Sequence, residues 1–145
     1  MGSLLATAFG AVALWAVALS IVDLRRHRLP NWLTVPGAVT ILAGCALCGR
    51  GPAAVLGALA LGGLYLAVHL ADPTGLGGGD VKLAVGLGAL TGALGAPVWL
   101  LAALGAPLLT AVAAAVSLLA GRGGTVPHGP SMLLASLTAA ALAVL

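Results

Sequence analysis

The chain has no glutamate at all, and only three aspartates, Asp23, Asp72 and Asp80, in 145 residues. Lysine and arginine together number six, so charged side chains make up 6% of the chain against roughly 25% in an ordinary soluble domain. Hydrophobic residues make up 61%, and the mean hydropathy is +1.20. A water-soluble globule of this size could not hide so much apolar surface. The composition therefore points to a lipid bilayer, where the core is helix packed on helix. With acids this scarce, each carboxylate needs its own account.

Other absences narrow the chemistry. No lysine or arginine precedes the first apolar stretch, MGSLLATAFG, whereas a secretory signal peptide opens on a basic segment. That stretch reads as a retained first span. The two cysteines, Cys45 and Cys48, form a single CxxC inside an apolar segment, and zinc usually takes four ligands. They read as small packing residues. His27, His69 and His128 are scattered over three segments without ligand spacing. No metal and no cofactor are expected. The net charge of +3 is small, and the basic residues lie beside apolar segments. They suit topology and lipid headgroups, not nucleic acid. No solenoid-type repeat is visible, and the length fits one domain over residues 1–145.

A membrane span needs about 17–25 apolar residues. Six segments meet or approach that length: 3–22, 33–49, 53–71, 80–96, 98–120 and 129–145. Turn chemistry separates them, in RRHRLPN, GRGP, ADPTGLGGG, GAP and GRGGTVPHGP. The expected fold is all-α, a polytopic bundle of six transmembrane helices. Basic residues concentrate in cytoplasmic loops. With the amino terminus outside, Arg25, Arg26, Arg28, Lys82 and Arg122 lie on the cytoplasmic side and Arg50 lies outside. The reverse orientation inverts that balance. Both termini are then expected outside, and all three aspartates at the cytoplasmic face. Trp32 and Trp99 fall near span ends, where indoles favour the interface.

Steps of about four residues keep to one helix face. From Asp80 they give Ala84, Gly88, Gly92 and Ala96; backwards from Asp23 they give Ser20, Ala16 and Ala13. Small faces let membrane helices approach closely, and Gly88 and Gly92 form a GxxxG pair. Both acids are thus expected at one depth, on interior stripes of closely packing helices. Two carboxylates about 3 Å apart cannot both ionise and share one proton. The ionised one can draw a proton from water as it attacks a peptide carbonyl; the other supports the oxyanion and then the leaving amine. Plainer roles compete: Asp80 as a helix N-cap, and Asp23 as the interfacial partner of a loop arginine. Ionisable groups in spans are costly and commonly functional. The negative carboxyl end of the first helix favours a protonated Asp23. The arginines at 25, 26 and 28 favour an ionised one, and the sequence leaves the assignment open.

Three motifs occur in order: DLRRHRLPNWLT from Asp23, G-x-G-D from Gly77 to Asp80 followed by VKLAVGLGALTG, and VPHGP before the last span. Together they resemble the type IV prepilin peptidase family, membrane aspartyl proteases of the GxGD class, over nearly the whole chain. The resemblance implies that Asp23 and Asp80 are the catalytic pair. It implies a prepilin or pseudopilin substrate, whose short basic leader is cut after a glycine and just before its apolar helix. The cut falls at the cytoplasmic side of the inner membrane of a prokaryote. Gly77, Gly78 and Gly79 would let the substrate backbone approach Asp80. Bifunctional members carry a further cytoplasmic region with paired CxxC motifs and N-methylate the trimmed pilin. Nothing here corresponds to it, so the chain resembles the short, peptidase-only members, such as those serving tight-adherence pili. His128 stands where the family often has an aromatic residue.

Among the remaining polar residues, Asp72 precedes Pro73 and reads first as a turn former, with an accessory role near the site as the alternative. Lys82 lies off the face of Asp80 and reads as a snorkelling side chain. Contact with acidic groups of a substrate is its alternative role. Pro107 is expected to kink the fifth span. Competing functions are a GxGD protease for other membrane substrates, a small transporter, and a non-catalytic pilus assembly factor.

Overall fold

The computed structural model describes residues 2–26, 29–122 and 124–144. His27 and Arg28, which the sequence assigns to the first loop, lie outside the described residues. Among the described residues the chain is all α-helical, with no strand. The helices are α1 (Gly2–Arg26), α2 (Asn31–Leu47), α3 (Gly51–Ala71), α4 (Gly78–Leu94), α5 (Ala96–Leu119) and α6 (Gly129–Val144). Of these, α3 and α5 are long and apolar enough to cross a membrane.

Proline and glycine punctuate the chain as their chemistry requires. Pro30 is extended, with φ −72° and ψ 136°, and its carbonyl accepts from the backbone N–H of Thr34 to open α2. Pro52 and Pro97 fall in the first turns of α3 and α5, where a missing N–H removes no helical bond. The α2–α3 and α4–α5 turns pass through Gly49 at φ 73° and Gly95 at φ 120°, conformations an L side chain resists. Most helix limits differ slightly from the sequence expectation, and two of the differences bear on the acids. α1 continues past residue 22 to Arg26, and α4 starts two residues before Asp80. Pro107 lies within α5, which runs on through it.

The inside mixes small residues, with Ala54, Ala84, Ala89, Ala102 and Ala140 almost inaccessible, and buried Leu19, Leu83, Leu87 and Met132, while Leu47 and Leu119 on the outside are each 90% exposed. The tightest contact joins α3 to α4. A Cβ on Gly57 would run into the Gly88 carbonyl, and one on Gly92 would lie 2.7 Å from the Gly57 Cα. Trp99 Nε1 donates to the Gly57 carbonyl at 3.1 Å. That indole therefore turns into the bundle, whereas Trp32 is largely exposed. Trp15 lies on Gly37 of α2 and donates from Nε1 to the Leu33 carbonyl at 2.9 Å. At the far end of α4, Arg50 donates to the Ala93 carbonyl at 2.9 Å, a cation on the negative helix terminus. Cys45 and Cys48 are free thiols at the end of α2.

One expectation needs correction. The small stripes of α1 and α4 do not face each other: α1 packs chiefly on α6, while the glycine stripe of α4 is spent on α3. A small residue permits close approach but does not name the partner.

Candidate active site

Asp23 continues the inward stripe of α1 that contains Ala16 and Leu19, and it is 6% exposed. On the same helix Arg25 and Arg26 are exposed, at the rim of the cavity that Asp23 lines. Its carboxylate lies against the first residue of α6, since a Cβ on Gly129 would come within 2.5 Å of Oδ2. Asp23 therefore sits near the carboxyl end of its own helix but beside the amino end of another.

Asp80 enters through the glycine loop. Gly77 is the N-cap of α4, and Asp80, in the first turn, has its backbone N–H bonded to the Gly77 carbonyl at 3.0 Å. The N-cap position is Gly77, and the Asp80 carboxylate reaches back to accept from the Gly77 backbone N–H. Both carboxylates thus face a positive helix terminus, which favours anions. Helix ends alone do not distinguish the two.

The two acids line one cavity of about 760 Å³, together with Gly77, Gly78, Gly79, Arg25 and Arg26 at the end of α1, and the segment from Leu29 to Trp32 that leads into α2. They lie within electrostatic reach of each other. α1 and α4 are held apart by their own neighbours, and the carboxylates converge across the open end of the bundle. Leu29 packs between Gly79 and Gly129 at the edge of this cavity. A Cβ on Gly79 would meet the Leu29 Cβ at 2.8 Å, and one on Gly129 would meet the Leu29 Cδ1 at 3.5 Å. Gly79 therefore has an internal task in seating Leu29, while Gly77 would admit a Cβ, with Asp80 Oδ2 at 3.5 Å.

The accessory residues separate. Lys82 Nζ donates to Asn31 Oδ1 at 2.6 Å, and Asn31 lines the cavity. Lys82 thus braces the cavity rim from outside. Asp72 is exposed and forms a local turn: its Oδ1 accepts from Thr74 N (3.1 Å), Thr74 Oγ1 (2.7 Å) and Gly75 N (3.0 Å). These bonds hold its carboxyl below the usual range, and it does not line the cavity. His69 Nδ1 donates to the Leu76 carbonyl at 2.6 Å, tying α3 to the same loop. Among the described residues, no three His, Cys, Asp or Glu side chains converge as metal ligands would.

Sequence reasoning missed a part-buried cluster beside the acids. Tyr65 of α3 bonds through its hydroxyl to His128 Nε2 at 2.8 Å, and His128 Nδ1 meets Thr110 Oγ1 of α5 at 2.6 Å. The Tyr65 phenol also lies within electrostatic reach of Asp80. The signal available was VPHGP, where a histidine next to Gly129 precedes the last helix.

No curated protein and no solved structure matches this chain. The sequence profile of the type IV leader peptidase family does match, over residues 10–115, a stretch that contains both cavity aspartates and the glycine loop. Covering well over half the chain, that match makes this protein a member of the type IV leader peptidase family.

Proposed function

We propose that the protein is an aspartic endopeptidase that removes the short basic leader from type IV prepilins or prepilin-like proteins, using Asp23 and Asp80. The observation that carries this is the convergence of these two scarce acids on one cavity, within the family match. One carboxylate, ionised, accepts a proton from water as the oxygen attacks the scissile carbonyl. The other, protonated, hydrogen-bonds the developing oxyanion and then transfers its single proton to the amine nitrogen as the C–N bond breaks. Two neighbouring acids divide these roles because double ionisation is costly. Gly77 and Gly78 give the substrate backbone an approach to Asp80.

All six helices span the membrane in this proposal, with both termini outside and the cavity at the cytoplasmic face. Large outward side chains and small residues at the α3–α4 contact suit lipid surroundings. Arg25, Arg26 and Lys82 lie at the cavity end, which supports a cytoplasmic placement.

Co-expression with a candidate prepilin tests the proposal. Wild type converts the prepilin to its shorter form, while Asp23→Asn and Asp80→Asn, present in the membrane at normal levels, leave it uncut. Continued cleavage by either variant removes that residue from the mechanism. Cleavage of unrelated membrane peptides but not prepilins points to a broader GxGD protease.

A further inference from the structure

We propose that His128 is a positioning residue for the aspartate pair, docking the segment before α6 between Tyr65 and Thr110 so that Gly129 is held against Asp23. This rests on the peptidase function proposed above.

The hydrogen bonds have a defined direction. Thr110 Oγ1 donates its one proton to the Ala106 carbonyl at 3.1 Å. Toward His128 it therefore accepts, and Nδ1 carries the proton of that 2.6 Å bond. In the neutral ring Nε2 then has a lone pair, which accepts from the Tyr65 hydroxyl at 2.8 Å. The two rings also stack, with centroids 5.6 Å apart. The next residue is Gly129, against the Asp23 carboxylate, and Tyr65 is in electrostatic reach of Asp80. One imidazole thereby links α3, α5 and the start of α6 beside both acids.

The arrangement needs a neutral ring. A protonated imidazole has two donors and no acceptor, so the bond to Tyr65 would have to reverse, and the phenol proton would lose this acceptor. Burial holds His128 below the usual histidine range, in keeping with neutrality. The titratable groups around it are Tyr65 on α3, Asp80 on α4 beyond Tyr65, and Asp23 on α1 beside Gly129; α5 and α6 contribute none.

The test uses the full-length protein in proteoliposomes, with a prepilin as reporter and Asp23→Asn and Asp80→Asn as controls. Tyr65→Phe and Thr110→Val each lower kcat by about two- to tenfold with KM unchanged, the effect of one hydrogen bond. The double variant is no worse than the stronger single one, because either change undocks the same ring. His128→Gln retains an acceptor for Tyr65 but takes up no proton, so it keeps activity at acid pH where wild type loses it. An unchanged acid limb in His128→Gln, or additive single effects, overturns the proposal. If wild type leaves prepilins uncut, or the aspartate controls still cleave, the peptidase function fails separately. The imidazole nitrogen resonances then decide the hydrogen-bond chain. A neutral Nδ1–H ring that shifts on Tyr65→Phe supports it, and an Nε2–H ring or an unresponsive one overturns it.

Discussion

Gly129 and Asp23 are in direct packing contact: a Cβ on the first residue of α6 would stand 2.5 Å from Oδ2 of the acid near the end of α1. The nearest atom is the tip of a side chain, so the carboxylate, not the backbone, yields to added bulk. Gly129→Ala is therefore expected to cost little stability while turning Asp23 away from Asp80. Displacing a reacting group by 1 Å can cost on the order of a hundredfold in rate. The check is leader cleavage beside a thermal unfolding curve in detergent. Full activity in Gly129→Ala would show that the carboxylate has room to spare.

The opposite balance is expected at Gly88. Its neighbours on α3 are the Gly57 backbone and the Leu61 Cβ, the latter 2.8 Å from an added methyl. A backbone cannot step aside as a side-chain tip can, so Gly88→Ala must push α3 from α4. Overpacking of this kind costs about 1–3 kcal/mol. Unfolding measurements in detergent should show the loss, with reduced membrane levels. Residual protein that stays folded should still cleave, since the displaced seam lies on the glycine stripe away from the cavity.

Much of this was open to inference from residues because the breaks are chemically explicit. Pro30, Gly49, Pro52, Gly95 and Pro97 each have a conformational reason to stop or start a helix, and the six segments fall where they allow. The limits slipped by about two residues at several helix ends, among them Gly78 before Asp80, and furthest where polar residues extend α1 to Arg26 after Asp23. The aspartate pair was legible from its scarcity and from the small stripes beneath each acid. The stripes' partners were not: Gly88 and Gly92 face Gly57, and α1 turns to α6. Nor could periodicity join Tyr65 to His128 across 63 residues, because a hydrogen bond between distant side chains follows only from tertiary packing.

Asp72 offers a pH test away from the cavity. Its carboxylate accepts three local hydrogen bonds and is held below the ordinary Asp range, with the Thr74 hydroxyl the largest cause. A group with a lowered folded pKa stabilises fully above its unfolded value and loses that contribution as pH falls through the lowered one. Asp72→Ala should thus lower the thermal midpoint at neutral pH, and the difference from wild type should close in strong acid. Cleavage at neutral pH should be unchanged, because the side chain does not line the cavity. A catalytic defect with unaltered stability would instead assign Asp72 to the chemistry.

Lys82 separates two roles by the behaviour of its partner. Its ammonium donates to Asn31 Oδ1 at 2.6 Å, and Asn31 lines the cavity while Lys82 is exposed outside it. If bracing the rim is its task, Lys82→Met and Asn31→Ala should raise KM for the prepilin to a similar extent, with kcat nearly constant. An exposed bond of this type is worth roughly 1 kcal/mol, so the increase should be about fivefold. The double variant should match the single ones, because the same bond is lost once. If Lys82 instead contacts an acidic group of the substrate, Asn31→Ala will not reproduce its loss. The Lys82→Met defect should then vanish with a substrate whose acidic residues have been neutralised. Kinetics on the four proteins with both substrates therefore distinguishes an internal brace from a specificity contact.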